Sequence, residues 1–238
     1  MTTIRRVNTG FQRVYLIEGD SGLVLIDAGR LGLIKTLKAT LDGLDRRPAD
    51  VGLIVITHVH VDHVGGLAAV KELTGAKVLV HAADKNILER GASVMPAGTG
   101  LISRPMVEAL RPLLTRGQGF RPVSPDIVIE HEFDLGPFGV AGKVVPTPGH
   151  TAGSISVFLD SGQAFVGDTC FNHRPRSRRS VFPPFADDVP SLLRTWKVLL
   201  ASGASEFYPG HGRPFTRAKL EASLAKMAKS SRLEREVS

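Results

Sequence analysis

The chain has 238 residues, 42% of them hydrophobic and 22% charged, which excludes a disordered or fibrous protein and is enough for a substantial core. The single cysteine, Cys170, excludes an internal disulfide, the first residues lack the apolar stretch of a signal peptide, and no apolar run reaches the roughly 18 residues of a membrane span. A cytoplasmic protein with no membrane partner is therefore expected, and its net charge of +7 fits an anionic small substrate, nucleic acid or solubility alone.

In chain order, residues 13–19 and 23–28 are apolar-rich runs around Gly19-Asp20-Ser21-Gly22, a hairpin pattern. Leu31, Ile34, Leu37, Leu41 and Leu44 recur at helical spacing over residues 30–44. Leu53-Ile54-Val55-Ile56 is apolar at every position, as in a strand buried on both faces. The stretch from Thr57 to Gly66 follows, and its tail starts a helix with Val64, Leu67 and Val70 on one side and Gly75 just past its end. A strand over 77–80 and a helix over 82–90 come next. Residues 91–126 break the pattern with five prolines and five glycines. Met95, Leu101, Ile102, Met106, Leu110, Leu113 and Leu114 give this segment something to bury, so a lid over a site is expected, with a weak helix near 106–114. Strands are expected at 127–129, 133–135, 142–145, 154–159 and 164–166. Val189, Leu192, Leu193, Trp196, Leu199 and Leu200 mark a helix. A strand over 206–208 and a C-terminal helix bearing Leu220, Leu224 and Met227, fraying into a charged tail, complete the chain. With no repeat and no linker, one domain over 1–238 is the simplest organisation. Strand-rich halves, each followed by helices, predict an α/β protein with two sheets face to face and helices outside.

The densest chemical signal is His58-Val59-His60-Val61-Asp62-His63, which packs three of the eight histidines and a carboxylate into six residues behind a strand. The same grammar of apolar strand, small turn and polar residue recurs at His150, Asp168 and His211. Gly and Pro at these corners allow sharp turns and bring backbone close. Five imidazoles and two carboxylates, without a thiolate, suit zinc first and manganese or iron next. Seven ligands exceed one tetrahedral ion. They suit two ions sharing a bridging carboxylate and a bridging hydroxide, at a separation of roughly 3.5–4 Å. No serine or cysteine nucleophile is then required.

His58-x-His60-x-Asp62-His63 followed by His150, Asp168 and His211 resembles the metallo-β-lactamase-fold hydrolases. The resemblance spans from Asp27-Ala28-Gly29 to Pro209-Gly210-His211-Gly212. It implies a four-layer αβ/βα sandwich with metals at one edge. It also implies that His58, His60 and His150 hold one ion, that Asp62, His63 and His211 hold the other, and that Asp168 bridges. Asp62 and Asp168 are the catalytic carboxylates in this scheme, and Asp27 stands behind the histidines to orient them. A second reading of Asp27 is a cap on the helix of residues 30–44, and of Asp62 a cap on the helix that follows it. His81, His131 and His173 fit no motif, and Cys170 is read as a small buried hydrophobe.

The family resembled includes lactonases, glyoxalase II-type thioesterases, β-lactamases, nucleases and redox enzymes. The β-lactamases carry cysteine or serine where Asp168 stands, flavodiiron proteins carry glutamate where His60 stands, and persulfide dioxygenases carry a different signature after the bridging aspartate than Thr169-Cys170-Phe171-Asn172. Glyoxalase II has a longer C-terminal helical part than the 27 residues after His211. Similar signal lactonases place tyrosine where Phe171 stands. A small ester, thioester or lactone is therefore the expected substrate. A phosphodiesterase or nuclease is the alternative, and a β-lactamase or a non-catalytic binding protein stands behind it. Nucleic acid is disfavoured by the 6% aromatic content, which supplies no stacking platform. Arg174 and Arg176, in a cluster with Arg178 and Arg179, together with Phe171 and Tyr208, are candidate substrate contacts. The arginines read first as a solvated loop, and Tyr208 first as a packing residue. A homodimer is compatible with everything above.

Overall fold

The computed structural model describes residues 2–10, 12–93, 96–99, 105, 107, 109, 110, 113, 119–173 and 180–237. Among these, the strands are β1 (Thr3–Thr9), β2 (Gln12–Glu18), β3 (Leu23–Ile26), β4 (Val51–Val55), β5 (Lys77–His81) and β6 (Ile127–Ile129) in the first part. The second part holds β7 (Phe133–Asp134), β8 (Gly142–Pro146), β9 (Ile155–Leu159), β10 (Gln163–Asn172), β11 (Glu206–Gly212) and β12 (Phe215–Thr216). The helices are α1 (Leu33–Asp42), α2 (Val61–Val64), α3 (Leu67–Thr74), α4 (Ala82–Arg90), α5 (Val189–Ala201) and α6 (Arg217–Val237). Among the described residues no helix is long and apolar enough to cross a membrane.

The strands run in the order β6-β5-β4-β3-β2-β11-β10-β9-β8-β7, with β1 on β2 and β12 on β11. The β3–β6 pairings are parallel and the β7–β10 pairings antiparallel. Between β2 and β11 the register gives one pair, Gln12 opposite His211, so the two halves of the sheet meet at a candidate ligand. Such a narrow joint lets the halves fold over one another. Tyr15, Ile17, Val24, Ile26, Leu53, Val55 and Leu79 of the first half share a buried cluster with Val144, Ile155, Val157, Leu159 and Phe165 of the second. On the outer face of the first half, Leu33, Leu37 and Leu41 of α1, Leu67 and Val70 of α3 and Leu88 of α4 pack against β2–β5. On the outer face of the second half, Trp196 and Leu199 of α5 and Leu220 of α6 pack against Phe158, Val166 and Phe207. The result is the helix–sheet–sheet–helix layering expected, each apolar face buried against another.

The differences from the expected elements have local causes. β1 was not anticipated, because its arginines and asparagine mask the period, yet it pairs with β2 in register from Thr3–Glu18 to Thr9–Gln12. Leu31 is 76% exposed and lies in the turn before α1, so the buried stripe begins at Leu33. β10 and β11 run well past their expected ends, through Asp168 and His211. Their parallel ladder is interrupted between Phe165 and Gly167 and again between Gly167 and Phe171. Polar residues and glycines at these irregularities make a strand look finished before it is. Within 91–126, residues 94, 95, 100–104, 106, 108, 111, 112 and 114–118 lie outside the described set, and the lid and weak-helix expectations fall largely on them. The described stretch 96–99 is tied to residues 183–186: Thr99 donates to the Pro184 carbonyl and Ala186 to that of Ala97.

Candidate metal centre

The fold brings the seven named side chains to one end of the sandwich. β4 delivers Thr57 and His58 just beyond its end, His60 caps α2, and Asp62 and His63 lie within α2. His150 sits on the turn between β8 and β9, Asp168 within β10 and His211 within β11. Since His60 holds the capping position of α2 and makes no side-chain cap, the capping reading of Asp62 does not hold.

Three groups of donor atoms lie close enough to share an ion, each within 4.8 Å: His58, His60 and His150; His58, His63 and Asp168; Asp62, His63 and His211. Asp168 touches both ends of the cluster. Its Oδ2 is 3.9 Å from His58 Nε2, 3.8 Å from His150 Nε2 and 3.4 Å from His211 Nε2, and its Oδ1 is 3.4 Å from His63 Nε2. Asp62 Oδ2 lies 3.0 Å from His211 Nε2. All are buried except Asp62, whose side chain is 26% exposed and connects the cluster to solvent.

The hydrogen bonds behind the cluster decide which ring nitrogens face inward. Asp27, 1% exposed, accepts the Thr57 N–H at 2.8 Å and the Thr57 hydroxyl at 3.0 Å through Oδ1. Its Oδ2 lies 2.7 Å from His63 Nδ1, which must carry the proton because a carboxylate only accepts. The Thr57 hydroxyl has spent its one hydrogen on Asp27, so the 3.1 Å contact to His58 has Nδ1–H donating to Oγ1. The His150 ring donates Nδ1–H to the Phe185 carbonyl at 2.9 Å. In His58, His63 and His150 it is thereby Nε2 that is turned into the cluster. Asp27 makes no cap on α1, whose capping residue is Gly32, so the capping reading of Asp27 gives way to the orienting one.

The electrostatics follow. Burial holds His58 well below the usual histidine range, with His63 and His60 adding repulsion. Burial likewise brings His60 down to about 3, assisted by His150, and lowers His150. Burial opposes charge on His63 as well, but Asp168, Asp27 and Asp62 outweigh it and raise its pKa well above the ordinary value. Burial disfavours the ionised form of Asp168, yet His211 and His63 keep it ionised. His58 Nε2, His63 Nε2 and Asp168 Oδ1 are buried without a hydrogen-bond partner among the described residues. Orphaned buried groups are rare and each costs about 1–3 kcal/mol. Divalent cations coordinated at these atoms would satisfy them, so the residues present fit the metal that the donor set suggests.

Backbone must come close for this to work. A Cβ on Gly210 would collide with Asp168 Oδ1 and stand 2.7 Å from His63 Cε1, so only glycine lets β11 pass the cluster.

Of the candidate substrate contacts, Phe171 is at the cluster: its ring stacks on His211 with centroids 4.7 Å apart. Tyr208 is not brought there. Its hydroxyl donates to Glu206 at 2.7 Å, and its ring packs on Phe165 and Tyr15 in the core between the sheets. Its position two residues after Glu206 on β11 turns it to that core face. Arg174 and Arg176 lie outside the described residues. His81, unassigned from sequence, caps α4 by accepting the Ala83 N–H. Cys170 is fully buried, as its reading required. Sequence reasoning missed the roles of Thr57 and the Phe185 carbonyl. Thr57 stood beside the motif and carried a hydroxyl, a usable signal; a backbone carbonyl 35 residues from His150 leaves none.

Three comparisons bear on this arrangement. A family model described as the Metallo-beta-lactamase superfamily matches residues 7–211. The chain is 32% identical over 236 residues to the protein named "Probable metallo-hydrolase Rv2300c" of Mycobacterium tuberculosis, an alignment covering 84% of this chain and 67% of that one. The archaeal metallo-beta-lactamase superfamily protein ST1585 of Sulfolobus tokodaii has a similar structure, with TM-score 0.68 and 25% identity over 94% of this chain and 86% of that one. A metallo-beta-lactamase of Cronobacter sakazakii with a HARLDQ motif matches in fold, with TM-score 0.68 and 21% identity over 98% of this chain and 92% of that one.

Proposed function

Because the chain belongs to the metallo-beta-lactamase superfamily, we propose that it is a metal-dependent hydrolase that uses two divalent ions, zinc first, to cleave a small ester, thioester or lactone. The observation that carries this reading is Asp168, which stands 3.4–3.9 Å from imidazole nitrogens of both ligand sets. His58, His60 and His150 would hold one ion, Asp62, His63 and His211 the other, with Asp168 between them. Metal bound there supplies a water nucleophile ionised near neutral pH and an electrophile for the scissile carbonyl. The protein's own residues do the rest. Asp27 and Thr57 hold the imidazoles in one tautomer. A carboxylate lone pair of Asp168 not engaged by metal would accept the hydrogen of the attacking water and orient it. Asp62, the most exposed member, relays the proton toward solvent. Phe171, stacked over His211, forms an apolar wall for the acyl or alkyl part of the substrate. The described residues 96–99 would border this pocket, a reading supported by their bonds to residues 183–186, next to the carbonyl that orients His150.

The test has two parts. Metal analysis of protein grown with ample zinc should approach two equivalents per chain; less than one removes the dinuclear part. Metal-loaded protein is then run against lactones, thioesters, aryl esters, β-lactams and phosphodiesters, with Asp62→Ala as control. Turnover confined to phosphodiesters, which the net charge of +7 would favour, overturns the ester reading.

A further inference from the structure

Asp84 lies in the first turn of α4, is 3% exposed and has no part in the chemistry above. Its Oδ2 accepts the Val59 N–H at 3.0 Å, and Val59 is the residue between His58 and His60. The same carboxyl is pressed against the turn that carries His150. A Cβ on Gly153 would collide with Asp84 Cγ and Oδ1 and stand 2.7 Å from Oδ2. One carboxyl therefore touches both segments that supply the set His58, His60 and His150. Two side chains from alternate residues reach one ion only if the backbone between them is held, and the Val59 N–H is what is held. Next to Gly153, the turn of residues 149–151 is fixed from its other side, where Asp187 donates to the His150 carbonyl and Asp188 to that of Gly149. An acid in this place is not the stable choice. Burial raises its pKa to about 6 even with the Val59 donor lowering it, and Asp187 adds repulsion. A carboxyl kept where a neutral side chain would cost less calls for a reason other than packing.

We infer that Asp84 is a positioning residue for the ion site of His58, His60 and His150, setting the distance between the two backbone segments that supply those three imidazoles. The inference rests on the two-ion reading above. Outer partners of metal ligands of this kind typically contribute about 10–100-fold to metal affinity. Zinc alone is the probe, titrated into metal-free full-length protein. Asp84→Ala should weaken one of the two ions about 10–100-fold and leave the other near its wild-type affinity. Asp84→Asn, which keeps an acceptor for the Val59 N–H, should stay within about threefold of wild type. Gly153→Ala should weaken the same ion by forcing the carboxyl aside, and by less when Asp84 is already alanine, since the atoms it strikes are gone. Should Asp84→Ala not fold, Gly153→Ala decides alone. Wild-type isotherms for both Asp84→Ala and Gly153→Ala, or equal weakening of both ions, overturn the inference. Wild-type protein that binds no zinc overturns the two-ion reading and this one with it.

Discussion

Asp27→Asn is the sharpest test of the network behind the candidate ligands. Asp27 has φ of +62°, a left-handed conformation that asparagine tolerates and most residues do not. The substitution therefore changes charge and donor pattern with the backbone preserved. Suppose the amide oxygen keeps the two bonds from Thr57. The amide NH2 then faces His63 Nδ1, which now sits 2.7 Å from a carboxylate oxygen and donates to it. Two donors cannot face each other, so His63 must give up its Nδ1 proton and carry one on Nε2, the atom turned toward Asp168 at 3.4 Å. Flipping the amide instead sets NH2 against the Thr57 N–H. Either way a bond to a charged group is lost, worth about 1.5–3 kcal/mol. At roughly 1.4 kcal/mol per decade, zinc affinity at the set Asp62, His63 and His211 should fall by about 10- to 100-fold. The assay is zinc titration of metal-free protein, with Asp27→Ala as comparator. Alanine adds about 1–2 kcal/mol of left-handed strain, so its unfolding midpoint should lie below that of the asparagine variant. An Asp27→Asn isotherm superimposable on wild type would refute the tautomer argument.

Three other outcomes are expected. Thr57→Val, similar in volume but without the hydroxyl that links Asp27 to His58, should weaken zinc binding by about tenfold in the same titration. Gly210→Ala should abolish tight zinc binding, because its Cβ cannot coexist with Asp168 Oδ1; metal analysis after dialysis reads the loss. Asp84→Asn should gain stability relative to wild type as pH rises. The pKa of Asp84 is raised from 3.8 to about 6, so its favourable contribution is full below 3.8 and lost as pH climbs through about 6. The two-unit shift converts to about 3 kcal/mol at pH 8 and close to none at pH 4, read by denaturant unfolding of metal-free protein; a difference that does not change with pH would contradict the burial argument.

The parts of this molecule legible in the sequence are those in which one residue type has one physical use. The hairpin at Gly19-Gly22, the stripe of Leu33, Leu37 and Leu41, and the Trp196 stripe of α5 all announce themselves by period and apolar content. The seven donor residues do so by chemistry, since clustered imidazole and carboxylate at strand ends has few structural uses. All seven converge in the structure. What failed to show was anything decided by pairing across the chain. β1 is a strand because β2 is beside it, not because of its own composition. β10 and β11 extend through Asp168 and His211 because they pair with each other around an irregular ladder. Tyr208, at the end of the last expected strand, reads as a substrate contact or a packing residue, and the structure decides for packing: Glu206 takes its hydroxyl and the inter-sheet core its ring.

The same distinction separates the cluster from its supports. Ligands must be chemically special, so they stand out in sequence; the groups that aim them need only offer one acceptor at the right place. Thr57 Oγ1 and the Phe185 carbonyl do this for His58 and His150, and an Asp84 oxygen for the turn between His58 and His60. Each could be another residue type in a protein that placed an acceptor there differently, and so none is marked by its identity. Asp27 is the intermediate case. It must be an acid to hold Nδ1–H of His63, yet it must also adopt a left-handed backbone and accept from Thr57, a combination that few residues besides aspartate satisfy. Substrate selection is one step further from the motif. Phe171, stacked on His211, is the proposed wall of the pocket, and the residues that complete it would come from segments with no metal to hold, where sequence is free to vary with the substrate.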